Sequence, residues 1–210
     1  LWYESGKKEG EVHFKNGIIE GLVTGWYESG GREREVHYKN GKEEGLSTYW
    51  YESDEKNTEF HFTDGTLEGL DITWCENKET EVFHKNGKKE GLETSWYRSG
   101  QKEMELHYKN GVLEGLTTTW YESGEKNGEI HYKKGKEDGL GTLWYESGEK
   151  EGETHFKDGE FEGMKTLWYK SGKKESIKHF KNGVENGLRT EWDESGKKTY
   201  EGNFVDGNEE

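Results

Sequence analysis

Seven histidines fall into one column: His13, His37, His61, His107, His131, His155 and His179 share a phase of about 24 residues, and the eighth, His84, stands one step out. Imidazoles are common metal ligands, but a zinc-type centre needs several donors at about 2.0–2.1 Å from one ion. If each period is a pair of strands in one sheet, neighbouring members lie about 9.6 Å apart. Such a column cannot chelate. It reads as a half-exposed cross-strand position or, because imidazole titrates near pH 6.5, as a pH-responsive surface. Cys75 is the lone cysteine, so no disulfide forms within the chain, and no Cys/His motif marks it as a nucleophile. Glutamates recur at Glu4, Glu28, Glu52, Glu122 and Glu146; an acid/base dyad needs one special pair, and recurrence in nearly every repeat reads as a solvated structural role. Phosphate-cradling glycine loops, His-Glu-x-x-His and Cys-x-x-Cys spacings do not occur. The expectation is no catalytic residue, no metal and no cofactor: the chain is not an enzyme.

The aromatics carry the remaining chemistry. Trp2, Trp26, Trp50, Trp74, Trp96, Trp120, Trp144, Trp168 and Trp192 are 24 residues apart except for one interval of 22. A partly exposed row at this spacing could stack on the sugars of an extended polysaccharide or grip an apolar strip of a protein partner. The competing reading is that the rings form the stacking core of the sheet. Thirty Lys and Arg against forty-five Asp and Glu give a net charge of −15. Nucleic acid is thereby excluded as a partner, since phosphate contacts need a basic face, and attraction to an anionic membrane is weakened.

The elements that must position these residues follow from the period. With Trp as position zero the unit reads W-Y-E-S-G-K-K-x-G-E-V-H-F-K-N-G-x-x-E-G-L-x-T-x, as in Trp2 to Gly25. Two turn signals recur, Ser-Gly at +3/+4 and Asn-Gly or Asp-Gly at +14/+15. The second set of turn glycines is Gly17, Gly41, Gly65, Gly87, Gly111, Gly135, Gly159, Gly183 and Gly207. Tight hairpins require positive φ, which these dipeptides supply. Two-residue turns at both sites predict strands such as Lys7–Lys15 and Ile18–Glu28. The absence of Ala and Pro and the 31 Gly argue against helix. The fold expected is all-β: an elongated, twisted, single-layer antiparallel β-meander, solenoid-like, of about nine hairpin repeats in one continuous array over residues 1–210. Bulk composition, 27% hydrophobic at this net charge, alone would read as disorder; the periodic placement of the apolar residues argues otherwise. Along a strand Leu22, Thr24 and Trp26 share a face, as do Val12 and Phe14, and whether both sets share the same face depends on the parity of the turns. The fourth unit departs: it lacks two residues near its first turn, carries Cys75 in place of Tyr and reverses His-Phe to Phe83-His84. This is a tolerated loop deletion or a kink separating two halves.

The unit W-Y-E-S-G-K-K-x-G-E-V-H-F-K-N-G-x-x-E-G-L resembles the MORN repeat, in the variant class of bacterial proteins labelled YwqK-type antitoxin-like; Tyr200-Glu201-Gly202-Asn203-Phe204-Val205-Asp206-Gly207 matches its Y-E-G-x-F-x-x-G core. The period of 24 rather than 23 and the abundant Trp depart from the usual pattern. The resemblance implies an elongated sheet of hairpins serving as a scaffold or interaction surface, and in some members lipid binding. The expected function is a repeat scaffold for protein–protein interaction or structural assembly. Alternatives are an antitoxin-like protein that binds a toxin, and a carbohydrate-binding surface built on the Trp/Tyr ladder. Unpaired sheet ends predict self-association or a longer array. No signal peptide is visible, which weakly favours the cytoplasm.

Overall fold

The computed structural model describes residues 1–75 and 78–210. The chain divides into two compact units, Leu1–Arg98 and Ser99–Glu210. The boundary falls in the turn that follows the short fourth repeat. Both units are built of strands without helix among the described residues, and the pairings are antiparallel, each long strand joining the return pieces before and after it, which is a meander.

One repeat of the first unit shows the local logic. Arg32–Lys39 runs to the turn Asn40-Gly41, and the chain returns as two pieces, Lys42–Glu43 and Gly45–Trp50, before the next long strand, Lys56–Thr63. The second unit repeats the plan with Lys126–Lys133, Lys136–Glu137 and Gly139–Trp144. Asn40 and Gly41 have φ of 51° and 79°, and Lys39 pairs with Lys42. This is the two-residue turn with positive φ at both central positions that suits the twist of flanking strands.

The Ser-Gly turn is different from the expectation. Tyr27 N donates to Gly31 O and Gly30 N to Tyr27 O, so the loop has three residues rather than two. The return strand is also interrupted rather than continuous. Tyr38 pairs with Glu43, whereas Glu35 pairs with Thr48, so two extra residues, Glu44 and Gly45, are inserted on the return side. The return strand, predicted as one run such as Ile18–Glu28, is therefore broken at that kink, while the outgoing strand Arg32–Lys39 is continuous. At Gly45 and its equivalents φ is positive, +82° here.

Register settles which side chains share a face. Leu22 lies opposite His37, Val23 opposite Val36, Thr24 opposite Glu35 and Gly21 opposite Tyr38. The Leu and Thr columns thus sit with His and Glu on one face, while Val36 and Tyr38 sit on the other with the residues one and three places before Trp. We call the first the repeated face and the second the variable face. A register shift between Gly25 and Trp26 recurs before Trp50, Trp120, Trp144, Trp168 and Trp192, whereas Trp74 pairs in continuous register. Buried positions are mostly small and polar: Ser47, Thr48, Thr58 and Thr94 in the first unit, and Thr118, Thr142, Thr166 and Thr190 in the second. Val23 and Val36 are the buried apolar side chains among the described residues. A lone sheet leaves large residues half covered, so only short side chains near the strand centres lose all water.

Candidate interaction surface

The repeated face uses its chemistry on its own neighbours. In six repeats the Lys or Arg at +6 stands over the Trp of the following repeat: Lys8 Nζ is 4.4 Å from the Trp26 ring centre, Arg32 5.5 Å from Trp50, Lys56 5.6 Å from Trp74. In the second unit Lys102, Lys126 and Lys150 stand 5.5, 5.2 and 6.0 Å from Trp120, Trp144 and Trp168. The same cations pair with the Glu at +9, as in Arg32–Glu35 at 2.8 Å and Lys126–Glu129 at 2.5 Å. Glu, cation and ring form a repeating stack in which a solvated charge covers an aromatic face. Trp2 is largely exposed, and the remaining eight tryptophans, including Trp96 and Trp192, are half-buried. A sugar stacking on the capped ring faces would have to displace these cations.

Two further ladders join repeat to repeat. Tyr3, Tyr27, Tyr51, Tyr121, Tyr145 and Tyr169, each following a Trp, donate the hydroxyl to the next Trp carbonyl, 2.6 Å for Tyr27 to Trp50 and 2.8 Å for Tyr145 to Trp168. The Glu before the kink accepts the amide at the next Asn-Gly turn: Glu20 takes Asn40 N at 2.7 Å and Glu162 takes Asn182 N at 2.8 Å. A carboxylate accepting a backbone N–H is a charge-assisted bond. Every predicted turn glycine, from Gly17 to Gly207, has positive φ. The side chain before it does as well, from Asn16 at 54° to Asp206 at 48°.

The histidine column is a local device. His37 Nδ1 lies 3.2 Å from Leu46 O, and His107 Nδ1 2.7 Å from Leu116 O; His13, His61 and His179 repeat the contact. A carbonyl only accepts, so Nδ1 carries the proton in these rings. The contact depends on the kink glycine. At Gly115, with φ +111°, a Cβ would come within 3.4 Å of His107 Cβ, and at Gly187 within 3.0 Å of His179 Cβ. This accounts for the joint recurrence of His and Gly-Leu in the repeat. Among the described residues no cluster of three or more His, Cys, Asp or Glu could hold a metal. Cys75 is exposed.

The variable face is where repeats differ. The residue three before Trp is Val23, Ser47, Asp71, Glu93, Thr117, Gly141, Lys165 and Arg189 in successive repeats, eight residue types at eight positions. In the first unit Asp71, 2% exposed, explains the inverted Phe83-His84. Gly69 pairs with His84 and Leu70 with Phe83, so the inversion moves the imidazole to the variable face, with Nδ1 2.6 Å from Asp71 Oδ2. That contact has the distance of an ion pair without the angle of a hydrogen bond. Asp71 Oδ1 accepts His61 N at 3.0 Å. Burial raises the Asp71 carboxyl above its usual range, opposed by the His61 amide and then by His84. The first turn of this repeat, at residues 76–77, lies outside the described residues.

In the second unit the same face opens into an apolar groove of about 340 Å³. Its floor is Gly128, Gly141 and Gly152, and Ile130, Leu143, Phe156 and Leu167 stand around them. These residues were not singled out by motif reasoning. The available signal was the variation at the positions before Trp, together with glycines inside strands, which mark close approach of another group.

No curated protein matches the chain significantly. The family model described as MORN repeat variant matches residues 1–16, 19–40, 89–110, 113–134, 137–158 and 185–206, together more than half of the chain. The Asp71–His84 pair lies in the interval between the second and third of these stretches. With its hairpin meander, paired Asn-Gly turns and repeated Trp-Tyr and Gly-Leu positions, the chain belongs to the MORN repeat variant family.

Proposed function

We propose that the protein is a non-enzymatic scaffold that binds protein partners through the variable face of its repeats. Repeats of this family are of a non-enzymatic type. The observation that carries the reading is the division of labour between faces. Trp, Lys, Glu, Tyr and His are committed to inter-repeat and local bonds, whereas the positions one and three before Trp change chemistry from repeat to repeat. Where these positions open to solvent, as at Leu143 and beside Gly141 and Lys165, they can be matched to a partner. The charge of −15 directs recognition away from phosphate-bearing polymers and anionic lipid. A toxin, as for antitoxin-like proteins of this class, would seat on the same face.

The test is site-specific photocrosslinking in the native cell, with the reactive group placed at Leu143 on the variable face or at Leu140 on the repeated face. The reading expects a discrete protein adduct from position 143 that is missing from position 140. Adducts from 140 alone, or none from either, would refute it.

A further inference from the structure

The groove of the second unit has a chemical direction. One row of variable-face residues runs Thr119, Gly128, Leu143, Gly152, Leu167, Ser176, each directly opposite the next across a strand pair. Glycine and leucine alternate, so each Leu leans over a neighbour without a side chain: a Cβ at Gly128 would meet Leu143 Cδ2 at 3.1 Å, and one at Gly152 would meet Leu167 Cδ2 at 3.0 Å. Gly141 in the adjoining row would meet Phe156 Cε2 at 3.1 Å. None of these three glycines has positive φ, so the backbone does not demand them. Glycine in a strand interior weakens the strand, and three of them pooled on one face leave an apolar depression with Leu143 50% exposed beside it.

The row containing Gly141 ends in cations. Gly141 lies opposite Thr154, Thr154 opposite Lys165, and Lys165 opposite Lys178. Like charges directly opposite one another destabilise a sheet. Lys165 makes no ion pair among the described residues; its ammonium is 5.0 Å from the Phe161 ring centre, beside the groove. Lys178 reaches Glu191 only at 3.9 Å, and that carboxylate is already held by Arg189 at 2.6 and 2.9 Å. In a chain of net charge −15, an unpaired lysine lining an apolar groove, with a second under-neutralised lysine directly opposite it on the next strand, is complementary to an anion attached to an apolar body.

Resting on the scaffold reading above, we infer that this groove is the docking site for a partner segment in which large apolar side chains are followed by Asp or Glu. The apolar side chains fill the space over Gly128, Gly141 and Gly152, and the carboxylates neutralise Lys165 and Lys178. The bound segment thereby relieves a repulsion that the free protein carries, which gives selectivity for acidic over basic flanks.

The experiment is selection of a displayed random decapeptide library on the intact chain, followed by affinity measurement of the enriched peptides. Enriched sequences should carry adjacent large apolar residues with Asp or Glu on one side. Gly141→Leu, which fills the floor, should weaken them at least tenfold. Lys165→Glu, a surface change that leaves the strand intact, should do the same and should be rescued when the peptide's acids are replaced by Lys. Enrichment of basic or charge-free sequences, affinities changed less than twofold by both variants, or no enrichment at all would overturn the inference. Peptides weakened by Leu140→Glu instead would overturn this site while leaving the scaffold reading standing, because that reading is decided by the crosslinking comparison.

Discussion

The two faces of the same strands solve different problems. On Gly139–Trp144 the repeated face presents Leu140 and Thr142, with Thr142 buried and Trp144 beneath Lys126. The variable face of that strand presents Gly141 and Leu143 to an open groove. Where a residue recurs from repeat to repeat, it bonds to the next repeat, as Tyr and Glu do, or fixes its own hairpin, as His and the kink Gly do, and the array is held by nearest-neighbour contacts. Where repeats differ, the role differs as well: Val23, Ser47, Asp71 and Thr117 are buried, whereas Gly141, Leu143 and Lys165 border an open groove. The lesson is that within one chain the periodic positions report folding, and the aperiodic ones report what distinguishes this protein from any other array of the same unit.

The comparison breaks most visibly if the ladder is not the main source of stability. Trp144→Ala removes a half-buried ring and its cation contact and is expected to cost about 2–3 kcal/mol, whereas Leu143→Ala, half exposed across the strand, should cost below about 1 kcal/mol. Denaturant titration of both variants would sink the account if the two losses were equal. Glycines give the next largest contrast. Gly115→Ala places a side chain at φ +111° against His107 and should cost about 1–3 kcal/mol. Gly128→Ala, where φ is not positive but a Cβ would meet Leu143 Cδ2 and Thr119 Oγ1 at 3.1 Å, asks only for a small shift of two side chains and should cost less than about 1 kcal/mol. Thermal unfolding of the two variants distinguishes them. Tyr145→Phe deletes only the hydroxyl that donates to Trp168 O and should cost about 1 kcal/mol without changing peptide binding.

The smallest effect concerns the first unit. Because burial holds the Asp71 carboxyl above its usual range, the folded state binds that proton more tightly than the unfolded chain. This contribution to stability is complete below the unfolded carboxylate pKa of about 3.9 and is lost as pH rises through the higher folded value. Asp71→Asn keeps an oxygen for His61 N–H and removes the titration. Its stability relative to the parent should therefore rise across that window and remain at least equal at pH 7. A variant less stable at pH 7 would show that the His84 contact outweighs the burial of the charge.

The turn and repeat architecture was legible because it rests on local backbone demands: Asn-Gly at residues 40–41 needs no partner to declare a positive-φ turn. The assignment of faces was not, because it depends on a three-residue loop after Tyr27 and on two inserted residues at Glu44-Gly45. Both look the same in sequence as shorter turns and continuous strands. The inverted Phe83-His84 was visible, but its reason is Asp71, brought near only by the pairing of Gly69 with His84. The groove has the same origin. Gly128, Gly141 and Gly152 stand on three strands and meet only once register aligns them, so no linear motif contains them.

The most direct measurement uses the two leucines of one strand, Leu140 at 43% and Leu143 at 50% exposure, matched in type and solvent access but on opposite faces. Each is replaced by Glu, and affinity for the selected acidic–apolar peptides is measured beside the unfolding midpoint. The account predicts that Leu143→Glu weakens binding at least tenfold with an unchanged midpoint, while Leu140→Glu leaves binding within twofold. Equal losses from both variants, or a loss from Leu140→Glu alone, would contradict the division between a face that builds the array and a face that recognises a partner.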